Sequence, residues 1–310
     1  MRLKISNTTQ LLGGEKQSFD VDYWQVPKIF FSQELEGPRI YFADRLEGRS
    51  HIFSIDLDKR LRPIASTLKK RLGPSSCPGT FDDEGVMPAD VVNTSQGAKL
   101  LYSGWNSRNT VPYHNSTGLA DLDESGNIVR CGYGPVMERN WKFPYLSVTP
   151  TVWGADPFHC IYVNGDGWFY DEMGRCEPLY SLRYACSDNL MEWQRDDRAL
   201  VTWSDSRPCH SNPCHLPMEG NNVILYCDRA ASGYRANADN GYDIAAFIFD
   251  PITITATQLE IEWAEERMVG MNDQMRAYPE VFEWEGTLFL LTNGNGFGQT
   301  GIFISQLEII

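Results

Sequence analysis

The sequence has no hydrophobic run that approaches the roughly 18 residues of a membrane-spanning helix. Residues 1–7 contain no apolar segment of the kind that forms a secretory signal, so no such signal is expected. Long apolar patterns with helical spacing are absent too, and the best amphipathic stretch, residues 65–72, is short and ends at Gly73. The sequence therefore predicts neither a membrane span nor a fold built from long helices.

Positive charge is scarce, and so are closely spaced cysteines. The chain has 27 Lys and Arg against 41 Asp and Glu, which gives a net charge of −14 at pH 7. Nucleic acids and anionic membranes both bind basic surfaces, so neither is expected as a partner. The eight cysteines form no C-x-x-C pair and no zinc-finger spacing with histidine. We expect reduced thiols in a cytoplasmic protein.

The sequence does contain a repeat. A short apolar stretch that begins at a proline recurs five times, at intervals of 61 to 66 residues, at Pro27, Pro88, Pro150, Pro213 and Pro279. Each stretch is followed by two further short runs rich in Ile, Val, Tyr and Phe and bounded by Gly, Asn and Asp, which is typical of β-strands. Five occurrences at a nearly constant interval indicate five structural units.

Five units of three or four antiparallel strands predict a five-bladed β-propeller, with residues 1–310 as a single domain. A proline is tolerated at the first residue of an inner strand, where its missing N–H group costs little. The last unit has only three strand-like runs, so its fourth strand must come from elsewhere. Residues 2–6, in which Leu3 and Ile5 alternate with polar residues, are expected to supply it and close the ring.

A propeller gathers at one mouth of its channel the residues before each inner strand and those at the end of each second strand. Aromatic rings there can stack on sugar rings, and Arg binds phosphate or carboxylate in a bidentate manner. The pattern predicts a carbohydrate or nucleotide sugar as ligand. The predicted substrate-binding residues are Gln25, Arg45, Trp105, Asn106, Arg207, His210, Arg229, Arg276, Tyr278 and Asn293. Structural roles stay open for the histidine and for the Asp-Arg pairs at 44–45 and 228–229.

Carboxylates at the same positions are the candidate catalytic groups. Asp83 is the first choice for one carboxylate, with Glu84 and Asp82 as alternatives, and Asp228 or Asp44 is the candidate for the second. A solvated loop at 82–84 is the structural alternative. No phosphate-cradling glycine loop, zinc motif or Ser-His-Asp order is recognisable, so the sequence predicts no cofactor, and no spacing indicates a metal site.

Several stretches carry a family resemblance that extends over essentially the whole chain. They are Phe81–Pro88, Tyr102–Asn106, Val111–Ala120, Ser206–Pro208 and Thr292–Gly301. The pattern resembles the five-bladed propeller superfamily of arabinanases, β-xylosidases, levansucrases and invertases. It is closer to a bacterial branch of glycosidase-like proteins found among sugar-biosynthesis genes, which is similar to the N-terminal part of a plant glucosaminyl inositolphosphorylceramide transferase. The resemblance implies a propeller that acts on glycosidic bonds in polysaccharide biosynthesis, and related propellers often hold a cation on the axis.

The resemblance also implies two catalytic carboxylates and a modulating third, just before the inner strands of blades one, three and four. Those places hold Gln25–Val26, Val148–Thr149 and Ser211–Asn212, none of which is acidic. One function left open is an enzyme that cleaves or transfers a glycosidic bond on an intracellular or activated glycan, with carboxylates at other positions. The alternative is a non-catalytic carbohydrate-binding module, and a third is a scaffold for partner proteins.

Overall fold

Nearly all regular structure of the chain is β-strand. A computed structural model describes residues 1–13, 20–218 and 220–310, and the prediction of an all-β chain is confirmed. The strands are β1 (Leu3–Leu12), β2 (Gln25–Phe30), β3 (Arg39–Leu46), β4 (Arg49–Leu57), β5 (Pro63–Leu72), β6 (Gly85–Thr94), β7 (Gly97–Ser107), β8 (Tyr113–Leu122), β9 (Ile128–Arg130), β10 (Ser147–Gly154), β11 (Phe158–Tyr170), β12 (Cys176–Ser187), β13 (Gln194–Arg195), β14 (Cys209–Met218), β15 (Asn221–Arg229), β16 (Asp243–Asp250), β17 (Thr255–Leu259), β18 (Ile261–Trp263), β19 (Ala277–Trp284), β20 (Thr287–Asn293) and β21 (Ile302–Ile309). One helical turn, α1 (Asn295–Gly298), lies between β20 and β21.

The strands pair in antiparallel groups that match the sequence repeat. Groups 1 to 4 are β2–β5, β6–β9, β10–β13 and β14–β17 in chain order. Group 5 consists of β19, β20 and β21, with β1 paired antiparallel to β21. The amphipathic stretch 65–72 lies inside strand β5, so this segment is a strand and not a helix.

The first strand of each group lies beside the first strands of two other groups. These contacts run from β2 to β6, β10, β14 and β19, and β19 in turn contacts β2. Five clusters of buried apolar side chains lie between successive groups, and one of them joins group 5 to group 1 through Leu291 and Ile40. Each second strand is buried on both faces because the groups on either side cover it, as at Tyr41, Tyr102 and Tyr162.

Candidate functional site

A cavity of about 660 Å³ opens where the residues before the first strands meet the ends of the second strands; we call it the central cavity. All five groups contribute to its lining. Its polar and aromatic lining residues are Tyr23, Gln25, Arg45, Trp105, Tyr113, Asn115, Thr149, Tyr180, Ser211, Asn212, Tyr234, Arg235, Tyr242, Tyr278, Phe297 and Gln299. The chain positions are those from which the sequence predicted a ligand site.

Strained backbone surrounds the central cavity. The residue before the proline has a left-handed φ in four groups: 54° at Val26, 43° at Thr149, 48° at Asn212 and 58° at Tyr278. All four line the cavity, and in each case the pairing with the second strand shifts its register at this point. Positive φ in β-branched or bulky residues costs of order 1–3 kcal/mol and is concentrated at functional sites. The strained backbone therefore lowers the stability of the fold, and it places four side chains in the lining of one cavity.

Four lining residues each present a buried polar atom that finds no hydrogen-bond partner within the described chain. These atoms are Gln25 Oε1, Asn115 Oδ1, Thr149 Oγ1 and Ser211 Oγ. A buried polar atom without a partner costs about 1–3 kcal/mol. Because four such atoms converge on one cavity, the lining is suited to a ligand with several hydroxyl groups.

The charged part of the lining is entirely basic. Arg45 and Arg235 line the central cavity, and no Asp or Glu occurs among its described lining residues. The Arg45 guanidinium lies 5.3 Å from the centre of the Tyr23 ring, and it makes no ion pair with a described carboxylate. Arg235 pairs with the buried Glu177, so Arg45 is the unpaired positive charge of this lining in a chain of net charge −14.

Trp105 provides an aromatic surface in the cavity wall. Its indole N–H donates to Ser50 Oγ at 2.6 Å, which fixes the ring orientation. A Cβ at Gly85 would lie 2.0 Å from Trp105 Nε1, so only glycine lets the indole approach the backbone here.

Arg229 organises the tyrosines on one side of the cavity. Its Nε donates to the hydroxyls of Tyr180 at 2.8 Å and Tyr242 at 3.1 Å, and these two hydroxyls lie 2.5 Å apart. Its other nitrogens donate to three backbone carbonyls, of Pro178, Ala230 and Ala231. The side chain is fully buried and does not line the cavity. Arg229 therefore positions the wall, whereas the sequence predicted contact with substrate.

The three acidic residues before β6 do not reach the central cavity. Asp82 is buried and accepts hydrogen bonds from Arg130 Nε at 2.7 Å and Tyr102 Oη at 3.2 Å. Asp83 Oδ2 accepts from the Gly79 amide at 2.7 Å. Glu84 accepts from the Ser107 amide, and this hydrogen bond lowers the pKa of its carboxyl. All three stabilise the loop before β6 and strand β7, and none is a lining residue.

Asp44 and Asp228 also lie outside the lining. Asp44 accepts a hydrogen bond from the Tyr23 amide at 2.8 Å, and burial raises its pKa. Asp228 pairs with Arg207 Nε at 2.7 Å; burial raises its pKa, and Arg207 partly offsets the effect. None of the five candidate carboxylates therefore lines the central cavity. The Asp-Arg neighbours in sequence do not pair with each other, since Asp228 takes Arg207 as its partner.

Four of the ten predicted binding residues line the central cavity, namely Gln25, Arg45, Trp105 and Tyr278. The other six lie outside its lining: Asn106, Arg207, His210, Arg229, Arg276 and Asn293.

The surroundings of Arg207 and Arg229 are given above, and those of the other four residues follow. Asn106 donates to Thr80 O at 3.2 Å, beside a second cavity at the edge of group 2. Burial lowers the pKa of His210 to about 4, so its ring is neutral at pH 7. The Arg276 guanidinium lies 3.7 Å from the centre of the Trp263 ring. Asn293 accepts from the Val26 amide at 2.9 Å and so supports the strained backbone there.

A buried ion pair joins two of the first strands, β2 and β19. Lys28 Nζ on β2 lies 2.8 Å from Glu280 Oε2 on β19, with Cys214 on β14 3.7 Å from the same oxygen. Asp90 on β6 is close enough to interact electrostatically with Lys28 and Glu280. Among the described residues no cluster is arranged to hold a metal ion. The Lys28 ammonium supplies the positive charge at this place.

Asp90 gives the fold a specific pH dependence. Burial raises its pKa to about 7, with Glu280 adding to the shift and Lys28 opposing it, whereas an unfolded Asp titrates near 4. Asp90 thus contributes stability below about pH 4 that is lost as pH rises through about 7. We expect the free energy of unfolding of Asp90→Asn, relative to that of the wild type, to rise by more than about 1 kcal/mol between pH 4 and pH 8. Urea unfolding across that range measures it. Parallel pH profiles for the two proteins would contradict this assignment.

Several lining residues escaped the sequence analysis as candidates. Thr149 and Asn212 stand immediately before repeat prolines, and their place in the repeat was the available signal. Tyr234 and Arg235 belong to the segment between β15 and β16, which is longer than the segment at the same place in each other group. No local pattern marks them, because only the fold brings them to the cavity.

Comparison with known proteins identifies relatives of undefined activity. No family model matches the sequence. Two uncharacterized proteins of Mycobacterium tuberculosis, one from each of two strains, are 28% identical to it over 235 residues, which is 74% of this chain and 74% of each relative. None of the helices in the described part of the chain has the length and apolar character for a membrane crossing.

Solved structures share the fold. The Bombyx mori GH32 β-fructofuranosidase BmSUC1 superposes with a TM-score of 0.65 at 13% identity, over 98% of this chain and 63% of that enzyme; a mutant of BmSUC1 has been solved in complex with sucrose. The protein BT0996, solved as an RGII complex, gives a TM-score of 0.69 at 15% identity, over 100% of this chain and 92% of that protein. A thermostable family-43 glycoside hydrolase gives 0.59 at 12% identity, over 92% and 88%.

The chain shares the β-propeller fold of these solved structures. At these identities the likeness extends to the fold alone. The chain spans less than two thirds of the length of BmSUC1, so the activity of that whole enzyme does not transfer to it.

Proposed function

We propose that the chain is a carbohydrate-active propeller that binds an activated, anionic sugar, such as a nucleotide sugar, in the central cavity. One observation carries the proposal: Gln25, Asn115, Thr149 and Ser211 each bring a buried, unpartnered polar atom to the same cavity. Sugar hydroxyls both donate and accept hydrogen bonds, so one pyranose can satisfy several of these atoms at once. Trp105 adds a flat apolar surface for a sugar ring.

The choice of an anionic sugar rests on charge. Arg45 lines the cavity without an ion pair to a described carboxylate, whereas Arg235 also lines it but pairs with the buried Glu177. A guanidinium binds phosphate in a bidentate manner, and a charge-assisted hydrogen bond is about twice as strong as a neutral one. A phosphate-linked sugar therefore fits this lining better than a neutral plant or storage glycan.

The proposed architecture is one domain over residues 1–310, with five blades closed by β1. It is supported by the return of first-strand contacts from β19 to β2 and by the pairing of β1 with β21. We further propose a cytoplasmic location and a role in polysaccharide biosynthesis. The eight free thiols and the use of nucleotide sugars as intracellular glycosyl donors fit this setting.

Two-carboxylate hydrolysis has no support in the lining, because the five candidate carboxylates are engaged elsewhere. This favours transfer from a phosphate-linked donor, since a phosphate leaving group departs without a general acid. The same observation supports the second candidate, a binding module without catalysis. Both candidates require sugar binding in the central cavity.

Binding is tested by isothermal titration with UDP-glucose, UDP-galactose, GDP-mannose and their neutral sugars. We expect a nucleotide sugar to bind and Arg45→Gln to weaken its affinity about tenfold or more, because a charge-assisted hydrogen bond contributes about 1.5–3 kcal/mol. Arg60→Gln, in the turn between β4 and β5, is the matched control and should bind as the wild type does. Equal affinity for the neutral sugars, or equal losses in the two variants, would contradict the proposal.

A further inference from the structure

A phenol in the wall of the central cavity donates to a buried carboxylate behind it. Tyr234 lines the cavity, and its hydroxyl lies 2.5 Å from Glu177 Oε2. Glu177 is only 2% exposed. Arg235 donates to Oε1, the other oxygen of the same carboxylate. The carboxylate is thus fixed in place with one oxygen directed at the phenol.

A cation covers the face of the same phenol. The Arg229 guanidinium lies 3.8 Å from the centre of the Tyr234 ring, and its hydrogen bonds to the carbonyls of Pro178 and Ala230 hold it there. Burial raises the pKa of Tyr234, and Arg229 acts in the opposite direction. The phenol is therefore neutral at rest, with a base at its hydroxyl and a cation placed to stabilise negative charge as it develops.

From this geometry we infer that Tyr234 is a catalytic nucleophile and Glu177 is its base. The inference rests on the proposed function, since it requires a sugar donor in the cavity. An oxygen nucleophile with an adjacent, oriented base is the general arrangement of covalent catalysis. Among glycosidases a tyrosine nucleophile is a recognised exception to the usual carboxylate pair.

The reaction has two steps. Tyr234 Oη attacks the anomeric carbon of a glycosyl phosphate, its proton passes to Glu177, and the anomeric C–O bond breaks with its electron pair leaving on the phosphate. In the second step an acceptor hydroxyl or water attacks the same carbon. The electron pair of the sugar–tyrosine bond returns to Oη, which recovers the proton from Glu177, and the acceptor's proton is released to solvent.

A phenol suits this cavity better than a carboxylate would. A neutral nucleophile carries no charge of its own to repel a phosphate-bearing donor, whereas an anionic carboxylate does, and the charge of Glu177 behind it is paired with Arg235. The leaving phosphate needs no proton, which agrees with the absence of acidic groups among the described lining residues. Arg45 is available to bind the departing phosphate.

The test is covalent trapping with 2-fluoro donors, whose fluorine slows breakdown of the intermediate. The protein is incubated with UDP-2-fluoroglucose, UDP-2-fluorogalactose and GDP-2-fluoromannose, and peptide mass spectrometry locates any sugar adduct. We expect a glycosyl adduct on Tyr234, with release of about one equivalent of nucleotide. The adduct should disappear in Tyr234→Phe and form at least tenfold more slowly in Glu177→Gln.

Tyr102→Phe is the matched control, because Tyr102 is a buried phenol that donates to a carboxylate, Asp82, outside the cavity lining. It should label as the wild type does. Titration with unreactive donors separates the catalytic role of Tyr234 from the proposed function of sugar binding, since Tyr234→Phe should still bind these donors. Binding without any adduct, or an adduct on an Asp or Glu, would overturn the inference and leave the proposed function standing. Failure of the wild type to bind any donor would overturn both.

Discussion

Lys28→Met is expected to lower the free energy of unfolding by about 3–5 kcal/mol, because it leaves buried carboxylates without their cation. Lys28 and Glu280 are both almost fully buried, and they join β2 to β19 at 2.8 Å. The Glu280 carboxylate also accepts a hydrogen bond from the Ile29 amide. Removal of the ammonium is therefore expected to disturb the backbone of group 1 as well. Urea unfolding followed by tryptophan fluorescence gives the change in free energy.

Lys142→Met is the matched control for this substitution. Lys142 pairs with Asp197 at 2.9 Å, but both side chains are largely exposed, and such pairs contribute about 1 kcal/mol or less. Adding Glu280→Gln to Lys28→Met should recover part of the lost stability, because the unpaired buried charge is then removed. Equal losses in the Lys28 and Lys142 variants would show that the buried ion pair does not stabilise the contact between β2 and β19.

Arg229→Met is expected to cost at least about 3 kcal/mol and to abolish ligand binding in the central cavity. The substitution leaves the buried Pro178 carbonyl without its donor, at about 1–3 kcal/mol, and removes the donor from the partly buried carbonyls of Ala230 and Ala231. It also releases Tyr180 and Tyr242, which line the cavity. Thermal unfolding and titration with a nucleotide sugar measure the two effects.

Two variants make the Arg229 result interpretable. Arg229→Lys keeps the charge but not the planar fork of donors, so it should recover little of the lost stability. Arg45→Gln should lose binding while it unfolds within about 0.5 kcal/mol of the wild type, since Arg45 is exposed and has no ion-pair partner in the described chain. If Arg229→Met bound the ligand normally, the tyrosine wall would not depend on this guanidinium.

The strand pattern was predictable because it rests on local chemistry that repeats. Each proline, apolar run and polar turn recurs at a nearly fixed interval, so the first three strands of each group could be placed from the sequence. The pairing of residues 2–6 with the last group followed from the alternation of Leu3 and Ile5, which lie opposite Ile309 and Leu307.

The composition of the site was harder to predict, because side-chain direction depends on backbone geometry that propensities do not encode. Val26 and Thr149 are β-branched and precede prolines, which argues for ordinary extended backbone, yet both adopt a left-handed φ. The sequence predicted Asp82 at the cavity mouth, but its side chain is buried and hydrogen-bonded to Arg130 and Tyr102. Tyr234 and Glu177 lie 57 residues apart, and only tertiary structure joins them.

The pairing of β1 with β21 has a consequence for assembly. Side chains such as Asn7 and Gln306 are hydrogen-bonded across 299 positions of sequence. Such a long loop is entropically costly to close, so β1 is expected to pair with β21 late in folding, after the local hairpins have formed. It also holds Arg2 and Ile310 together through two backbone hydrogen bonds, so two fluorophores attached near these residues would report directly on whether the pairing is intact.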